Sequence, residues 1–252
     1  MAAGRLFLVP TPLDFGCDAQ APLGEVLPAG TIAVAARLTH WVAENAKSAR
    51  AFLKRVGEVQ ALALPLQSLA IAELPRQLHK QGDHQGSFDA RPLLDPAVHG
   101  HDIGLVSEAG MPAVADPGGS VVRAAHALGL DVVPLVGPVS LLLALAGSGL
   151  NGQQFAFAGY LPQQPGPRAD RVRELEALAR RTGQAQSFIE TPYRNAALWG
   201  TLLEVLQPGT KLAFASGLTL PQAQVRMRTV GEWRMRPAEG PGAAPAVFVL
   251  GR

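Results

Sequence analysis

Short, continuously apolar runs alternate along this chain with longer stretches of mixed character. Leu6–Val9, Ile103–Val106 and Val132–Val136 contain no charged or hydroxyl residue, and each stops abruptly at proline, glycine or serine. Strands that are apolar throughout, rather than on alternate positions, predict a parallel sheet covered on both faces. The stretch from Asp102 to Gly152 shows the repeating unit in full: strand, loop, helix over Gly119–Leu128, strand, loop and helix. Its first strand runs into Ser107-Glu108-Ala109-Gly110-Met111-Pro112, and its second into Gly137-Pro138-Val139-Ser140. Both loops fall at the carboxyl ends of strands, where open α/β sheets bind their ligands. One such loop is ordinary punctuation by glycine and proline; two neighbouring ones favour a site.

The same pattern extends in both directions. Upstream it predicts a rigid turn at Pro10–Asp14, a short helix over Ala21–Leu27 and a second strand at Thr31–Ala36. Trp41–Val56 reads as a helix, with Trp41, Ala49, Phe52, Leu53 and Val56 inward and Glu44, Lys47, Arg50 and Lys54 on a solvated face. Ala61–Leu66 reads as a third strand, Leu74–Lys80 as a short helix, and Gln81–Ser87 as a polar, mobile surface loop. Downstream, strands are expected at Phe155–Phe157, Ser187–Ile189, Leu212–Ala215, Val225–Val230 and Val247–Leu250, with helices over Arg168–Arg181 and Ala196–Leu206. The texture changes after Leu150, and Leu150–Gln153 has the polar, glycine-containing make-up of a link. The expected fold class is therefore α/β with two α/β domains: residues 1–150 around a parallel sheet and residues 151–252 around a mixed one.

Composition narrows the class further. With 48% hydrophobic and 17% charged residues the chain can build a substantial core. The formal net charge of +2 neither requires nor excludes a nucleic-acid partner. The single Cys17 excludes an internal disulfide and fits a reducing compartment. Leu6–Val9 is too short for a secretion signal and no apolar run reaches spanning length, so a soluble, cytoplasmic protein is expected. His99 and His101 form the one close histidine pair, without partners at ligand spacing, so no metal site is expected. The dinucleotide and phosphate-loop glycine fingerprints, the Gly-x-Ser-x-Gly elbow and any evident catalytic triad are missing. The strand-end loops consist of small residues instead. They make a slot better suited to a neutral nucleoside and thioether than to a polyphosphate, which would call for lysine or arginine.

Five spaced segments carry a resemblance: VPTP at 9–12, SEAGMPAVADPG at 107–118, VPLVGPVSLLLALAGSGL at 133–150, FAFAGYLP at 155–162 and ETPYRN at 190–195. Together they resemble the tetrapyrrole methylase superfamily, and within it the branch of small-subunit rRNA cytidine ribose 2′-O-methyltransferases. The resemblance implies two α/β domains with S-adenosyl-L-methionine in the cleft between them, and a homodimer. Position by position it implies cofactor contacts from Pro10, from Met111, Pro112, Ala113 and Val114, and from Val139 and Ser140. From the second domain it adds Thr191, Pro192, Leu218, Pro245 and Ala246.

Departures from that branch bear on the methyl acceptor. Its Glu-Asp-Thr-Arg is here Glu44-Asn45-Ala46-Lys47, its Glu-Leu-Thr-Lys is Gly217-Leu218-Thr219-Leu220, and its Gly-Pro-Ser is Gly137-Pro138-Val139. Candidate acid or base groups are thus lost at Asn45, Gly217 and Leu220. Glu44, Lys47, Glu108 and Glu190 remain as polar candidates for catalysis, with loop capping as the competing role for Glu108 and Glu190. Three functions stay open at this point: methylation of rRNA at a ribose hydroxyl, methylation of a tetrapyrrole or other small molecule, and cofactor binding without turnover. The arginines of Arg168–Arg181 could track RNA phosphates or form a solvated helix face.

Overall fold

The computed structural model describes residues 2–14, 16–17, 19–81, 83 and 88–252. The chain divides into two units between Pro138 and Val139. The first contains β1 (Leu6–Leu8), α1 (Leu23–Val26), α2 (Ala29–Arg37), β2 (His40–Ala43), α3 (Ala46–Val59), β3 (Ala70–Glu73), α4 (Arg76–Gln81), α5 (Asp95–Val98), β4 (Ile103–Val106), α6 (Gly119–Ala127) and β5 (Val132–Pro134). Its described strands form one parallel sheet in the order β3-β2-β4-β1-β5.

Helices cover both faces, which is why the central strands β1 and β4 are apolar at every position. Phe7, Trp41, Ala43 and Val106 pack with α2 and α3, whereas Leu6, Val42, Ile103 and Leu105 pack with α4, α5 and α6. The connection leaving β1 lies on the first face and the one leaving β4 on the second. The carboxyl ends of these adjacent strands therefore flank the point where the winding of the sheet reverses, the usual ligand position.

Several expectations change here. Thr31–Ala36 is helix, not strand: Thr31, Ile32, Ala35 and Ala36 are its buried positions, a helical spacing that the β-branched residues disguise. Trp41–Ala43 is β2, and the helix begins only after Asn45, whose Oδ1 accepts from the Lys47 and Ser48 N–H groups at 2.9 and 3.3 Å. Glu44 accordingly sits in the strand-end loop and not on a helix face. Ala61–Leu66 is irregular and mostly exposed; the third strand is Ala70–Glu73, an edge strand with little burial to mark it. Of the predicted mobile loop, Gly82 and His84–Ser87 lie outside the described residues. Asp83 is buried, and its Oδ2 accepts from Gly118 N, Ser120 N and Ser120 Oγ, each at 2.8 Å. Burial alone would raise its pKa, but these bonds outweigh it and hold the carboxylate below the ordinary range.

The second unit contains α7 (Ser140–Ser148), β6 (Phe155–Tyr160), α8 (Pro165–Thr182), β7 (Ala185–Glu190), α9 (Asn195–Val205), β8 (Lys211–Ser216), β9 (Gln224–Thr229), α10 (Val230–Arg234) and β10 (Ala246–Gly251). The sheet order is β6-β7-β10-β8-β9, parallel between β6 and β7 and antiparallel elsewhere, hence mixed. On one face α8, α9 and α10 bury Trp199, Phe214 and Trp233, whose rings lie 5.2–5.7 Å apart. On the other, Leu141, Ala144 and Leu145 of α7 pack on Ala185, Ala213, Ala215, Val247 and Val249. That packing assigns α7 to the second unit and puts the division ahead of α7, not at the expected link Leu150–Gln153. The link itself is a turn in which Asn151 Oδ1 accepts from Gln153 N and Gln154 N, both at 3.0 Å.

Two glycines give opposite predictions. A Cβ on Gly104 would stand 2.5 Å from the ring of buried Trp41, its partner across β2 and β4. A Cβ on Gly200, inside α9, would meet nothing within 4 Å. Gly104→Ala should therefore cost about 2 kcal/mol or more through overpacking, and Gly200→Ala should add about 0.5–1 kcal/mol by restricting the unfolded chain. Urea unfolding of the two variants checks both signs.

Candidate functional site

In the first unit the strand-end loops are tied to one another by backbone. Thr11 N donates to Gly110 O at 2.9 Å and Gly110 N returns a bond to Thr11 O at 3.1 Å, joining the loops after β1 and β4. Gly110 has φ +77°, which a side chain would resist. Gly137, after β5, lies so close to Pro10 that a Cβ would fall 2.2 Å from the ring, so only glycine fits. Thr31 Oγ1 donates to Val136 O at 2.7 Å, and Asp14 receives both ends of the Arg55 guanidinium at 3.0 Å each, fixing the loops to α2 and α3. Pro10, Met111, Pro112, Ala113 and Val114 are thus gathered at one end of one sheet, with Pro10 and Pro112 buried and Val114 exposed.

Beyond Met111 the backbone is under strain. Ala113 and Ala115 both have φ +65°, a conformation unfavourable for any residue with a Cβ, and such residues cluster at functional sites. They deliver Asp116 to the ends of β2 and β4, a position that the sequence pattern does not single out because Asp-Pro-Gly looks like an ordinary turn. Glu44 comes from the end of β2, and its Oε2 accepts from Glu108 N at 3.2 Å. Burial first, then the charge of Glu44 and more weakly that of Glu108, push the Asp116 carboxyl up to about 7, while the Ser107 hydroxyl pulls the other way. Ser107 is 4% exposed, and its Oγ makes no hydrogen bond of good geometry. Lys47 is exposed in the first turn of α3.

In the second unit, Glu190, Ser216 and Ala246 stand in register at one end of the sheet. Glu190 Oε1 accepts from Thr191 N at 2.7 Å and Thr191 Oγ1 at 3.2 Å, and pairs with Arg194 at 2.6 Å. This buried carboxylate fixes the turn Thr191–Asn195, the role that competes with catalysis for it. Asn195 Nδ2 donates to Gly242 O at 3.2 Å and Ala244 O at 2.8 Å, holding the segment that leads to Pro245 and Ala246. Leu218 is flanked by Gly217 at φ +60° and Thr219 at φ +69°. Thr191, Pro192, Leu218, Pro245 and Ala246 therefore share one end of this sheet, while Val139 and Ser140 stand at the start of α7, with Val139 and Leu218 packed against the same apolar cluster. Glu190 Oε2, Asn195 Oδ1 and Thr219 Oγ1 are buried there without hydrogen-bond partners, unusual enough in a native fold to ask what satisfies them.

The arginines of α8 divide in two. Arg168 is buried and donates through Nε to Thr201 Oγ1 at 3.0 Å; Arg171 and Arg173 pair with Glu174 and Asp170. Arg173, Arg180 and Arg181 line a shallow hollow with Glu176 and Gln207.

Two α/β units of this kind, one parallel and one mixed, define a tetrapyrrole methylase fold. The methyltransferase CobJ superposes with a TM-score of 0.60 at 18% identity, covering 99% of this chain and 95% of its own. Uroporphyrin-III C-methyltransferase from Thermus thermophilus gives 0.53 at 19% identity, covering 98% and 94%. No family model matches the chain. Relatives at higher identity bear the name ribosomal RNA small subunit methyltransferase I. That of Escherichia coli O157:H7 is 30% identical over 229 residues, 91% of this chain and 70% of the relative. That of Mesorhizobium japonicum is 31% identical over 225 residues, 89% and 67%. That of Vibrio cholerae is 35% identical over 137 residues, 54% and 46%. The chain belongs to this ribosomal RNA small subunit methyltransferase I family, and it spans from about half to 70% of the length of these three relatives.

The environment of Asp116 makes stability depend on pH with a definite sign. A carboxyl near 7 when folded and about 3.9 when unfolded binds its proton more tightly in the folded state. The stabilisation is complete below about pH 4 and is lost as pH rises through 7. Asp116→Asn cannot ionise, so it should match the wild type near pH 4 and exceed it above pH 8 by about 2–4 kcal/mol. Calorimetric melting across that range checks it; a difference that does not grow with pH contradicts the burial of this carboxyl.

Proposed function

We propose that this chain is an S-adenosyl-L-methionine-dependent methyltransferase that modifies small-subunit ribosomal RNA at a ribose hydroxyl. The observation that carries the reading is the 30% identity to the Escherichia coli relative over 229 residues, a length that takes in both units. The likeness to uroporphyrin-III and CobJ methyltransferases, at 18–19% identity, bears on fold alone.

The residues present fit this cofactor. The first-unit loops 10–14 and 107–118 and the segment 137–140 that leads out of that unit contain no lysine or arginine, and Glu44, Glu108 and Asp116 stand at the strand ends. Such surroundings repel a polyphosphate and attract a cation. Ser107 Oγ in the first unit and Glu190 Oε2, Asn195 Oδ1 and Thr219 Oγ1 in the second are buried groups ready for the polar edges of a ligand. When bound, the cofactor supplies a methyl group on a positively charged sulfur. Pro10, Met111, Pro112, Ala113 and Val114 would hold it in the first unit, and Val139, Ser140, Thr191, Pro192, Leu218, Pro245 and Ala246 in the second. Alignment of donor and acceptor by rigid loops accounts for much of the barrier reduction in such a transfer, and the Thr11–Gly110 bridge and the Pro10–Gly137 contact supply that rigidity.

The departures from the rRNA-modifying branch have structural roles here. Asn45 caps α3, Gly217 takes a positive φ, and Leu220 is buried. Glu44 and Glu108 stand at the strand ends, where Glu44 Oε2 accepts from Glu108 N, and Glu190 pairs with Arg194. For RNA, Arg173, Arg180 and Arg181 form the basic face that can meet phosphates. Among the described residues no helix is long and apolar enough to cross a membrane, and we place the activity in the cytoplasm with the ribosome.

The family resemblance further implies a homodimer. Phe155, Phe157, Val225 and Met227 leave apolar surface exposed on the two edge strands of the second sheet, available for a second copy. Sedimentation at micromolar concentration should give a dimer.

Purified protein, labelled S-adenosyl-L-methionine and small subunits from cells lacking the endogenous enzyme should yield label in RNA, recovered after digestion as a 2′-O-methyl nucleoside. Label in a tetrapyrrole and none in RNA would turn the reading to a small-molecule acceptor. Tight cofactor binding with no label anywhere would indicate binding without turnover.

A further inference from the structure

We propose that the second unit holds an unpaired stretch of the substrate RNA, with a base stacked on Tyr193 and neighbouring phosphates on Arg226 and Arg236. The proposal rests on the reading of the chain as an RNA methyltransferase and names the surface that receives the acceptor strand. Its grounds are an exposed ring on a fixed turn, an unbalanced arginine cluster on the same face of the sheet, and the charge of the unit.

Tyr193 is 81% exposed and belongs to neither apolar cluster of its unit. The turn that carries it is nevertheless held at several points. Arg194 N donates to Thr191 O at 2.9 Å, and Glu190 Oε1 accepts from Thr191 N and Arg194 Nε at 2.7 and 2.8 Å. The Arg194 guanidinium lies 5.4 Å from the centre of the Tyr193 ring. An aromatic ring presented on a fixed backbone loses little freedom on binding, and its flat face accepts any base.

The segment before β10 brings the arginines. Asn195 fastens it through Gly242 O and Ala244 O, and Trp199 Nε1 fastens it through Pro237 O at 2.9 Å. It carries Arg236 and Glu239, and Glu239 meets Arg228 at 3.1 Å, Arg226 at 3.5 Å and Arg236 at 3.9 Å. One carboxylate thus faces three guanidinium groups. Glu232 is also within reach of their charge, but its Oε2 is taken up by the Thr229 hydroxyl and N–H in the cap of α10. Arg228 lies over Trp233, which leaves Arg226 and Arg236 as the more open pair, with side chains 43% and 51% exposed. Phe188, Phe248, Phe214 and Arg226 form one row across the sheet, on the face packed by α8, α9 and α10. β7 and β9 are three strand spacings apart in the sheet order, about 14 Å, a span that a few nucleotides cover. Val225 and Met227 are in register with Ala215 and Ala213 on the opposite face, so the apolar surface offered to a second copy is a separate one.

Charge favours the same unit. Of the 22 lysines and arginines, 12 fall in residues 139–252, together with 7 of the 20 aspartates and glutamates. The second unit therefore carries +5, and the first, with 10 against 13, carries −3. A polyanion is drawn to the one and repelled by the other.

Binding of the full chain to small ribosomal subunits, and to a single-stranded RNA oligomer of about ten nucleotides, tests this. Tyr193→Ala should weaken RNA binding by about 10-fold or more, with the affinity for S-adenosyl-L-methionine unchanged. Tyr193→Phe and Tyr193→Trp should restore RNA binding and Tyr193→Leu should not, because stacking needs a π face rather than a hydroxyl or bulk. Arg226→Gln combined with Arg236→Gln should flatten the plot of log affinity against log salt by about 1.4, the share of two single-strand phosphates. The emission of Tyr193→Trp should be quenched by the single strand and not by a duplex, against a background of buried Trp41, Trp199 and Trp233. Wild-type RNA affinity in Tyr193→Ala, rescue by Tyr193→Leu, or an unchanged salt slope overturns the proposal. So does a Tyr193→Ala chain that binds RNA normally and sediments differently, which gives the surface to a second copy. If the wild type methylates subunits while these variants bind like it, the methyltransferase reading stands alone. RNA binding that follows the predicted pattern without methyl transfer overturns that reading and leaves the surface in place.

Discussion

The pair of backbone hydrogen bonds between Thr11 and Gly110 is the constraint on which the first unit's site depends. It joins the chain leaving β1 to the chain leaving β4, the adjacent strands whose connections run to opposite faces of the sheet. Gly110 can make it because it adopts φ +77°, and Gly137 can lie against Pro10 because it has no side chain. With three strand ends locked in this way, the segment 111–116 has little freedom. Its strain settles on Ala113 and Ala115, and its last residue is turned toward Glu44 and Glu108. Sequence, loop geometry and electrostatics are here links of one chain of cause.

Three carboxyl groups at one end of a sheet repel each other, and burial makes the repulsion worse. The protein can relieve it with a proton on Asp116 or with a positive ligand. The absence of lysine and arginine from the three loops means that no side chain of those loops supplies the charge. The S-adenosyl-L-methionine proposed as cofactor would supply it, and release of its methyl group would remove that charge again. The second unit contributes a different chemistry: Glu190 is held by Arg194, Asn195 fixes the segment before β10, and the buried atoms without partners at that sheet end are one oxygen of the Arg194-paired Glu190, an amide oxygen of Asn195 and the hydroxyl of Thr219.

Much of this was legible in the sequence wherever burial imposes a pattern. β1 and β4 are covered on both faces and read as continuous apolar runs, as does the half-buried edge strand β5, and the loops that follow them stand out by composition. β3 is an edge strand with half-exposed residues, so nothing in Ala70–Glu73 distinguishes it. α2 was hidden because Thr31, Ile32 and Val34 suggest strand, although only a helix buries Ile32, Ala35 and Ala36 together. Asp83 looked like part of a solvated loop, since its partners in α6 lie more than thirty residues away. Asp116 was missed for a related reason: its environment is built by residues 44 and 107–108, and spacing along the chain does not reveal that. α7 went to the wrong unit because its apolar residues fit either sheet by composition, and only packing decides.

The most direct test of the central claim is nucleoside mass spectrometry of small-subunit rRNA from cells lacking the gene for this chain, with and without the gene restored. Loss of one 2′-O-methylated nucleoside, regained with the wild-type gene, is the predicted result. An rRNA modification profile identical in the two strains would contradict it.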